Sequence, residues 1–284
     1  MAYYFENILG TFQVDDKFQQ AKESKNKKNL SPVPKNKIPA VLHLFKDKQY
    51  FSQFHEKNIE LTKQLLKESV SDDQFIVQAI ANINELDRVV NILVKRLREW
   101  YSLHNPELEH QTNSHEIFIE SVLSNQKKSS GSMGADLKKV HLDEINCLGK
   151  EINALFTLRK RHEDYLQQVM SGYCPNILEL AGTTTGARLI ELAKGLKHLA
   201  LLPSSTVQLL GAEKALFRHL KSGSRSPKYG VIFQHPFIQK AKRENRGKAA
   251  RMLADKLSLC ARLDYFKGEF KAKEYKKELE EKLK

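Results

Sequence analysis

The amino-acid sequence predicts a mainly α fold: a small α/β module at the N-terminus, an antiparallel coiled-coil hairpin in the middle and an all-helical C-terminal part. Three observations predict it. Apolar and polar residues alternate near the start. Two long stretches then repeat apolar residues at steps of three and four. Shorter helical patterns, broken by Gly and Pro, fill the remainder.

Residues 1–20 alternate around Tyr4, Ile8, Leu9, Phe12 and Val14, the pattern of two short strands. The stretch KESKNKKNLSPVPKNKIP (22–39) is rich in Lys, Asn and Pro and reads as a mobile linker or long loop. Residues 41–66 add a helix or two. The segment 1–66 is too small to hold a large core.

Residues 67–172 carry the hairpin. Ile76, Ala79, Ile83, Leu86, Val90, Leu93, Leu97 and Trp100 form an a/d seam that Pro106 stops. Ile145, Leu148, Ile152, Leu155, Leu166 and Val169 form a second, ended by Gly172 and Pro175. The spacer SNQKKSSGSMG (124–134) has turn composition, so the two helices fold back on each other. The simplest reading pairs the two seams within the chain. Arg159 and His162 interrupt the second seam and leave room for another hairpin nearby. Ile83, Leu86, Val90, Leu93, Leu97 and Trp100 are then the candidates for a dimer contact.

In residues 173–284 the pattern shortens. GTTTGARLIELAK (182–194) reads as a helix ending at Gly195. Ser205 and Gln208 resemble a capping box after Pro203. A helix over about 212–221 follows Gly211, and 229–234 reads as a strand or extended segment. A long helix over about 244–264 puts Ala249, Leu253, Leu257, Cys260 and Ala261 on one face. The tail 269–284 reads as a solvated helix or frayed end.

Charge is the strongest functional signal. The chain of 284 residues carries 47 Lys or Arg against 34 Asp or Glu, a net +13. Eleven of those cations stand between Lys214 and Arg251, where Glu244 is the single acid after Lys214. Such a concentration suits a polyanion. Gly211, Ala212, Glu213 and Lys214 set backbone N–H groups and a cation at a helix start, where the dipole favours an anion. Arg218 follows Lys214 by one turn, with His219 beside it. The loop SGSRSPK adds Arg225 and Lys228, and KAKRENR (240–246) adds Lys242, Arg243 and Arg246.

Other classes find little support. No run of eighteen apolar residues predicts a membrane span, and MAYYFENILG does not read as a signal peptide. Three scattered cysteines fit neither a disulfide framework nor a zinc site, which suits a reduced intracellular compartment. GTTTG (182–186) lacks the Gly-Lys-Ser/Thr ending of a phosphate loop and reads as a site of close helix packing. His162 with Glu163 and Asp164, and His141 with Asp143 and Glu144, lack zinc spacing. No catalytic constellation, metal site or cofactor is expected. A nuclease-like enzyme would need clustered acids to hold a metal, and the basic region has almost none.

At these residues the chain resembles a known family. GAEKALFRHL (211–220) followed by SPKYGVIFQHP (226–236) is similar to the Nop domain. CPNILELAGTTTGARLI (174–190), GLKHLALLPSSTVQLL (195–210), CARLDYFKGEF (260–270), NELDRVVNILVKRLREWYSLHNPEL (84–108) and SMGADL (132–137) agree with it, and FENILGTFQVDD (5–16) resembles the family's N-terminal domain. The resemblance is closest to the archaeal Nop core proteins of the box C/D small ribonucleoprotein. It implies a non-catalytic scaffold with three parts: a reduced fibrillarin-binding domain over 1–66, a dimerising coiled coil over 67–172 and a Nop domain over 173–284. The Nop domain would bind guide RNA together with a kink-turn-binding ribosomal-type protein, with Gln234 near that surface. Fibrillarin would then methylate ribose 2′-hydroxyls of the target RNA. Residues 1–70 are shorter and richer in Lys than the family's usual N-terminal domain. The lack of a long Lys/Glu tail after 284 favours an archaeal, cytoplasmic member over a nucleolar one. A splicing-factor branch of the family, which binds a spliceosomal RNA–protein complex, is the nearer alternative, and the FENILGTF segment argues against it.

The sequence contains no Gly-rich loop for S-adenosylmethionine. The isolated chain, mixed with guide RNA, target and methyl donor, is expected to transfer no methyl group in a radiolabel assay. Transfer by the pure chain would contradict the scaffold reading.

Overall fold

The computed structural model describes residues 3–24, 30–124 and 131–283. The chain divides into two units, 1–71 and 72–284.

In the first unit, β1 (Tyr3–Asn7) and β2 (Gly10–Val14) form an antiparallel hairpin with Phe5 opposite Phe12. The Asn7 side chain closes the turn by accepting the Leu9 N–H at 2.9 Å. β3 (Ala21–Glu23) adds beside β2, and β4 (Ser31–Pro32) pairs parallel with β1, giving the order β3-β2-β1-β4. The stretch expected as a linker therefore supplies both sheet edges. Its strands are held by backbone pairing, which a polar composition does not forbid. Residues 25–29 of that stretch lie outside the described residues. A 3₁₀ turn, α1 (Ile38–Leu44) and α2 (Lys48–Glu68) complete the unit. Its core is small: Phe12, Val14, Val41 and Phe45, with Phe45 edge-on to Phe12 at 4.8 Å between centroids.

The second unit is built on α3 (Asp72–Tyr101) and α6 (Lys139–Tyr173). Asn82 meets His162, and Asp87 meets Arg159, so the helices run antiparallel. Between them, ahead of the turn-rich spacer 124–134, lie α4 (Pro106–Gln111) and α5 (His115–Leu123), two helices that no periodic pattern marked. Part of that spacer, 125–130, lies outside the described residues. Phe118, Ile119 and Val122 of α5 are buried in one cluster with Val90, Val94 and Leu97 of α3 and with Ile145 and Ile152 of α6. Arg98 fixes the tip. Its guanidinium lies 4.4 Å from the Phe118 centroid and donates to the carbonyls of Glu109 (3.0 Å) and Thr112 (2.6 Å).

The first seam is thus consumed inside one chain. Ile83, Leu86, Val90 and Leu97 are buried, while Leu93 and Trp100 are partly buried against the same cluster as Val90 and Leu97. Ile83, Leu86, Val90 and Leu97 are covered within the chain, whereas Leu93 and Trp100 keep part of their surface exposed. Seam periodicity marks a buried face without saying what buries it. The polar gap is filled too: Arg159 pairs with Asp87 and Glu163, and His162 bonds Asn82.

Among the described residues, α7 (Pro175–Ala181) and α8 (Thr183–Ala193) pack on the base of the hairpin. Four further helices build on them: α9 (Leu196–Leu201), α10 (Ser204–Leu209), α13 (Arg246–Tyr265) and α14 (Ala272–Leu283). One continuous core joins Ile76, Ile80 and Ile83 to Leu166, Met170, Ile177, Leu189, Leu253 and Leu257, so the expected border at 172/173 does not separate two cores. Gly186 is a packing glycine, since a Cβ there would lie 2.9 Å from Ile177. Two further expectations are revised. The Ser205–Gln208 box is not made: Pro203 precedes the helix, and the Gln208 amide reaches the Lys228 carbonyl. The tail is not a solvated end. Ala272 and Leu279 are buried, and Lys256 binds Glu278 at 2.5 Å beside the Tyr275 ring.

A buried polar knot holds three of these helices. The Asp264 carboxylate accepts the Asn176 N–H (3.0 Å), the Asn176 side-chain N–H (2.8 Å) and the Ile177 N–H (2.9 Å) at the start of α7. Asn176 in turn accepts the Lys271 and Ala272 N–H groups at the start of α14. Burial pushes the Asp264 carboxyl above its usual range, although its three N–H donors pull the other way. Asp264→Ala would strand those donors in the core. It is expected to cost about 3 kcal/mol, read as a lower urea midpoint with an unchanged slope. An unchanged midpoint would show that the knot is not structural.

Candidate nucleic-acid interface

Lys214, Arg218, Arg225 and Lys228 sit on an excursion that leaves the core at Leu210 and returns at Gly230, and Lys242, Arg243 and Arg246 follow it in the chain. The neck of the excursion is closed by backbone. The Val231 N–H donates to the Leu210 carbonyl at 2.7 Å, and the Gly230 N–H donates to that of Gln208 at 2.8 Å. The crossing needs glycine: a Cβ on Gly230 would lie 1.9 Å from the Leu210 carbonyl oxygen, and Gly211 turns with φ +85°.

The excursion carries α11 (Glu213–Ser222), which has no buried residue. Gly223 ends it in the left-handed conformation with φ +63°. Lys214 and Arg218 are exposed on it, and so are Phe217 (62%) and Leu220 (70%). His219 is partly buried, its Nδ1 against the Ser224 carbonyl. Two backbone N–H groups ahead of the helix are taken, while no side chain caps the first turn of α11 itself. The Glu213 carboxylate takes the Gly211 N–H at 2.7 Å, and the Ala212 N–H donates to Leu209. Gly211, Ala212 and Glu213 therefore shape the turn, and the charge is left to Lys214 and Arg218.

Arg225 and Lys228 follow in the loop, both exposed. The Lys228 carbonyl accepts from Gln208 at 2.5 Å. Its side chain runs past Gly247, where a Cβ would lie 3.4 Å from Lys228 Cδ. The expected strand at 229–234 is instead a 3₁₀ turn, Val231–Gln234, because the Phe233 N–H bonds back to Gly230 rather than to a neighbouring strand. Gln234 ends it, exposed. Tyr229 and Phe233 stack across the turn, 4.5 Å between centroids and 9° from parallel. Lys242 and Arg243 are exposed in the turn before α13. Arg246 opens that helix, its guanidinium 5.7 Å from the Phe233 centroid and its Nε–H on the Ala241 carbonyl at 3.3 Å.

Lys228, Arg246 and Gln234 are thus drawn to one short turn, while Lys214 and Arg218 stand on α11. Among the described residues none of Lys214, Arg218, Arg225, Lys228, Lys242, Arg243 and Arg246 forms an ion pair, whereas Arg159, Lys256 and Lys276 elsewhere do. Cations concentrated in one stretch without carboxylate partners favour a polyanionic partner.

Sequence reasoning missed the residues that hold this surface: Gln208, the Tyr229–Phe233 stack and His235. His235 caps α12 (Pro236–Gln239), with Nδ1 accepting the Phe237 N–H at 3.2 Å and Nε2–H donating to the Leu180 carbonyl at 2.9 Å. That pairing requires the neutral ring, and burial holds its pKa below the usual 6.5. The His-Pro pair at 235–236 was the available signal. Chemistry of other kinds has little here. Among the described residues no group of His, Cys, Asp and Glu is placed to hold a metal, and no helix is long and apolar enough to cross a membrane. Cys174 and Cys260 are buried, and burial pushes the Cys260 thiol up to about 12.

Residues 82–284 match the Nop family, described as a snoRNA binding domain with fibrillarin. An uncharacterized NOP5 family protein of Methanocaldococcus jannaschii is 40% identical over 259 residues, covering 83% of this chain and 62% of that protein. Nucleolar protein 56 of Schizosaccharomyces pombe is 37% identical, covering 69% of this chain and 45% of its own length. Nucleolar protein 58 of Yarrowia lipolytica is also 37% identical, with 69% and 43% covered. The chain spans less than two thirds of these relatives. A solved structure titled fibrillarin/Nop5p complex matches with a TM-score of 0.51 and 25% identity, over 99% of this chain and 100% of that one.

Because His235 has a depressed folded pKa, its contribution to stability is present above pH 6.5. It is lost as pH falls from 6.5 toward the folded value, since the unfolded ring takes up the proton first. Urea midpoints at about pH 7.5 and about pH 5.5 should differ more for the parent than for His235→Asn. Equal acid sensitivity would remove His235 from the account.

Proposed function

The chain belongs to the Nop family, and we propose that it is a non-catalytic scaffold of a box C/D-type guide-RNA ribonucleoprotein. The observation that carries this reading is the surface of unpaired cations on α11, the 223–230 loop and the turn before α13. Lys214, Arg218, Arg225, Lys228, Lys242, Arg243 and Arg246 neutralise RNA phosphates there, and Gln234 lies on the same side chain-rich turn. The RNA is bound together with a kink-turn-binding ribosomal-type protein. Unit 1, with its own sheet and core, docks fibrillarin, which supplies the 2′-O-methylation chemistry. The solved neighbour's title names that partner, and the match extends over the N-terminal unit as well. Holding donor and ribose in one geometry is the scaffold's share of catalysis.

Self-association belongs to the same reading, through a different face from the seam. Phe75, Val89, Ile92, Leu158 and Tyr165 are apolar and exposed on α3 and α6, Ile92 at 68%. A second copy of the hairpin would cover such positions.

Lys214→Ala with Arg218→Ala should weaken binding to the RNA and kink-turn-protein composite in gel shifts. Each lost phosphate contact lowers the salt slope by about 0.7–0.9. Lys273→Ala with Lys277→Ala, on α14, should have little effect. Equal losses from the two pairs would mean that net charge alone drives binding. For the dimer, Val89→Glu with Ile92→Glu should turn a dimer into a folded monomer by light scattering. Val90→Glu, inside the core, should instead destabilise the fold by several kcal/mol. An unchanged mass for the folded double variant would exclude this face.

A further inference from the structure

The Tyr229–Phe233 pair is built differently from the other aromatic contacts in unit 2. Tyr101 with Phe118 and Tyr265 with Phe266 meet edge-on, at 88° and 74°. Edge-on contacts are common in cores because ring quadrupoles favour them. Tyr229 and Phe233 lie nearly parallel and are both partly exposed.

Three further features mark the pair. First, its backbone is fixed on both sides. Gln208 holds the Lys228 carbonyl, the neck bonds hold Gly230 and Val231, and Gln239 donates to the Phe233 carbonyl at 2.7 Å. Second, the Arg246 guanidinium lies over Phe233, tied through Nε–H to Ala241 and without a carboxylate partner. Its remaining N–H donors are free to meet an acceptor. Third, exposed Lys228 and Gln234 flank the two rings in sequence.

Cations alone would track the phosphates of any duplex. Flat rings and a guanidinium plane interleaved with cations match a different object, a single-stranded segment whose base is turned out of its stack. A base inside a duplex has both faces covered by its stacked neighbours. Resting on the RNA-binding reading above, we propose that the Tyr229–Phe233 stack, extended by Arg246, is the platform on which one unpaired nucleobase of the bound RNA stacks. The contact selects for an unpaired nucleotide at one position of the RNA while tolerating its base identity, since every base has a π-face.

The test uses the full chain and a kink-turn RNA preassembled with its kink-turn-binding protein. The RNA series replaces each unpaired nucleotide in turn by an abasic one. Tyr229→Leu keeps apolar packing and removes the ring, and Tyr229→Phe restores the ring. Tyr229→Leu is expected to weaken binding roughly ten- to a hundredfold at every salt concentration, with the salt slope unchanged. Tyr229→Phe should bind as the parent does. At one abasic position the parent and Tyr229→Leu should bind equally. The proposal is overturned if Tyr229→Leu binds like the parent, or if its loss is the same on every abasic RNA, which would make the ring a packing element only. Failure of the RNA reading itself looks different: Lys214→Ala with Arg218→Ala would then leave both affinity and salt slope unchanged.

Discussion

One buried carboxylate sets the geometry of the C-terminal helices. Asp264 stands near the end of α13 and holds the first N–H groups of α7, and through Asn176 it fixes the start of α14. A helix start has unpaired N–H groups that burial would make costly. Here one acid and one amide satisfy both starts and tie three helices to one point. The opposite end of α13 bears Arg246. The placement of that cation is therefore tied through the rigid helix to a polar contact buried at its far end.

The basic surface depends on a second constraint, the neck at Leu210 and Gly230. A closed backbone crossing lets residues 211–229 project from the core without dragging it open. Beyond the neck α11 has no buried residue, and among the described residues its cations Lys214 and Arg218 form no ion pair. The same arrangement leaves Phe217 and Leu220 exposed, so α11 presents apolar and cationic faces together. A composite of RNA and protein offers matching chemistry for both.

The parts legible in the sequence were those that obey a period. The 3.6-residue repeat placed α3 and α6, and the shorter patterns placed α8, α11 and α13 near their observed limits. Periodicity identified Ile83, Val90 and Leu97 as buried, yet it carried no information on whether the covering helix belongs to the same chain. β3 and β4 were missed because backbone pairing does not need an apolar pattern. The 229–234 segment looked like a strand because Val231, Ile232 and Phe233 are strand formers, and the tight bond from Phe233 back to Gly230 overrode that preference. For the site, charge density pointed to Lys214, Arg218, Lys228 and Arg246. It could not show that Glu213 takes the Gly211 N–H, nor that Tyr229 and Phe233 lie face to face, because both depend on where the chain crosses itself.

The central claim is that RNA lies on the surface formed by residues 211–246. Ultraviolet cross-linking of the assembled particle, followed by mass spectrometry of RNA-bound peptides, tests it without altering the protein. The account predicts that the cross-linked peptides fall within 211–246, with Lys214, Arg218 or Tyr229 among the modified residues. Cross-links confined to α14 or to the first unit, with none in 211–246, would contradict it.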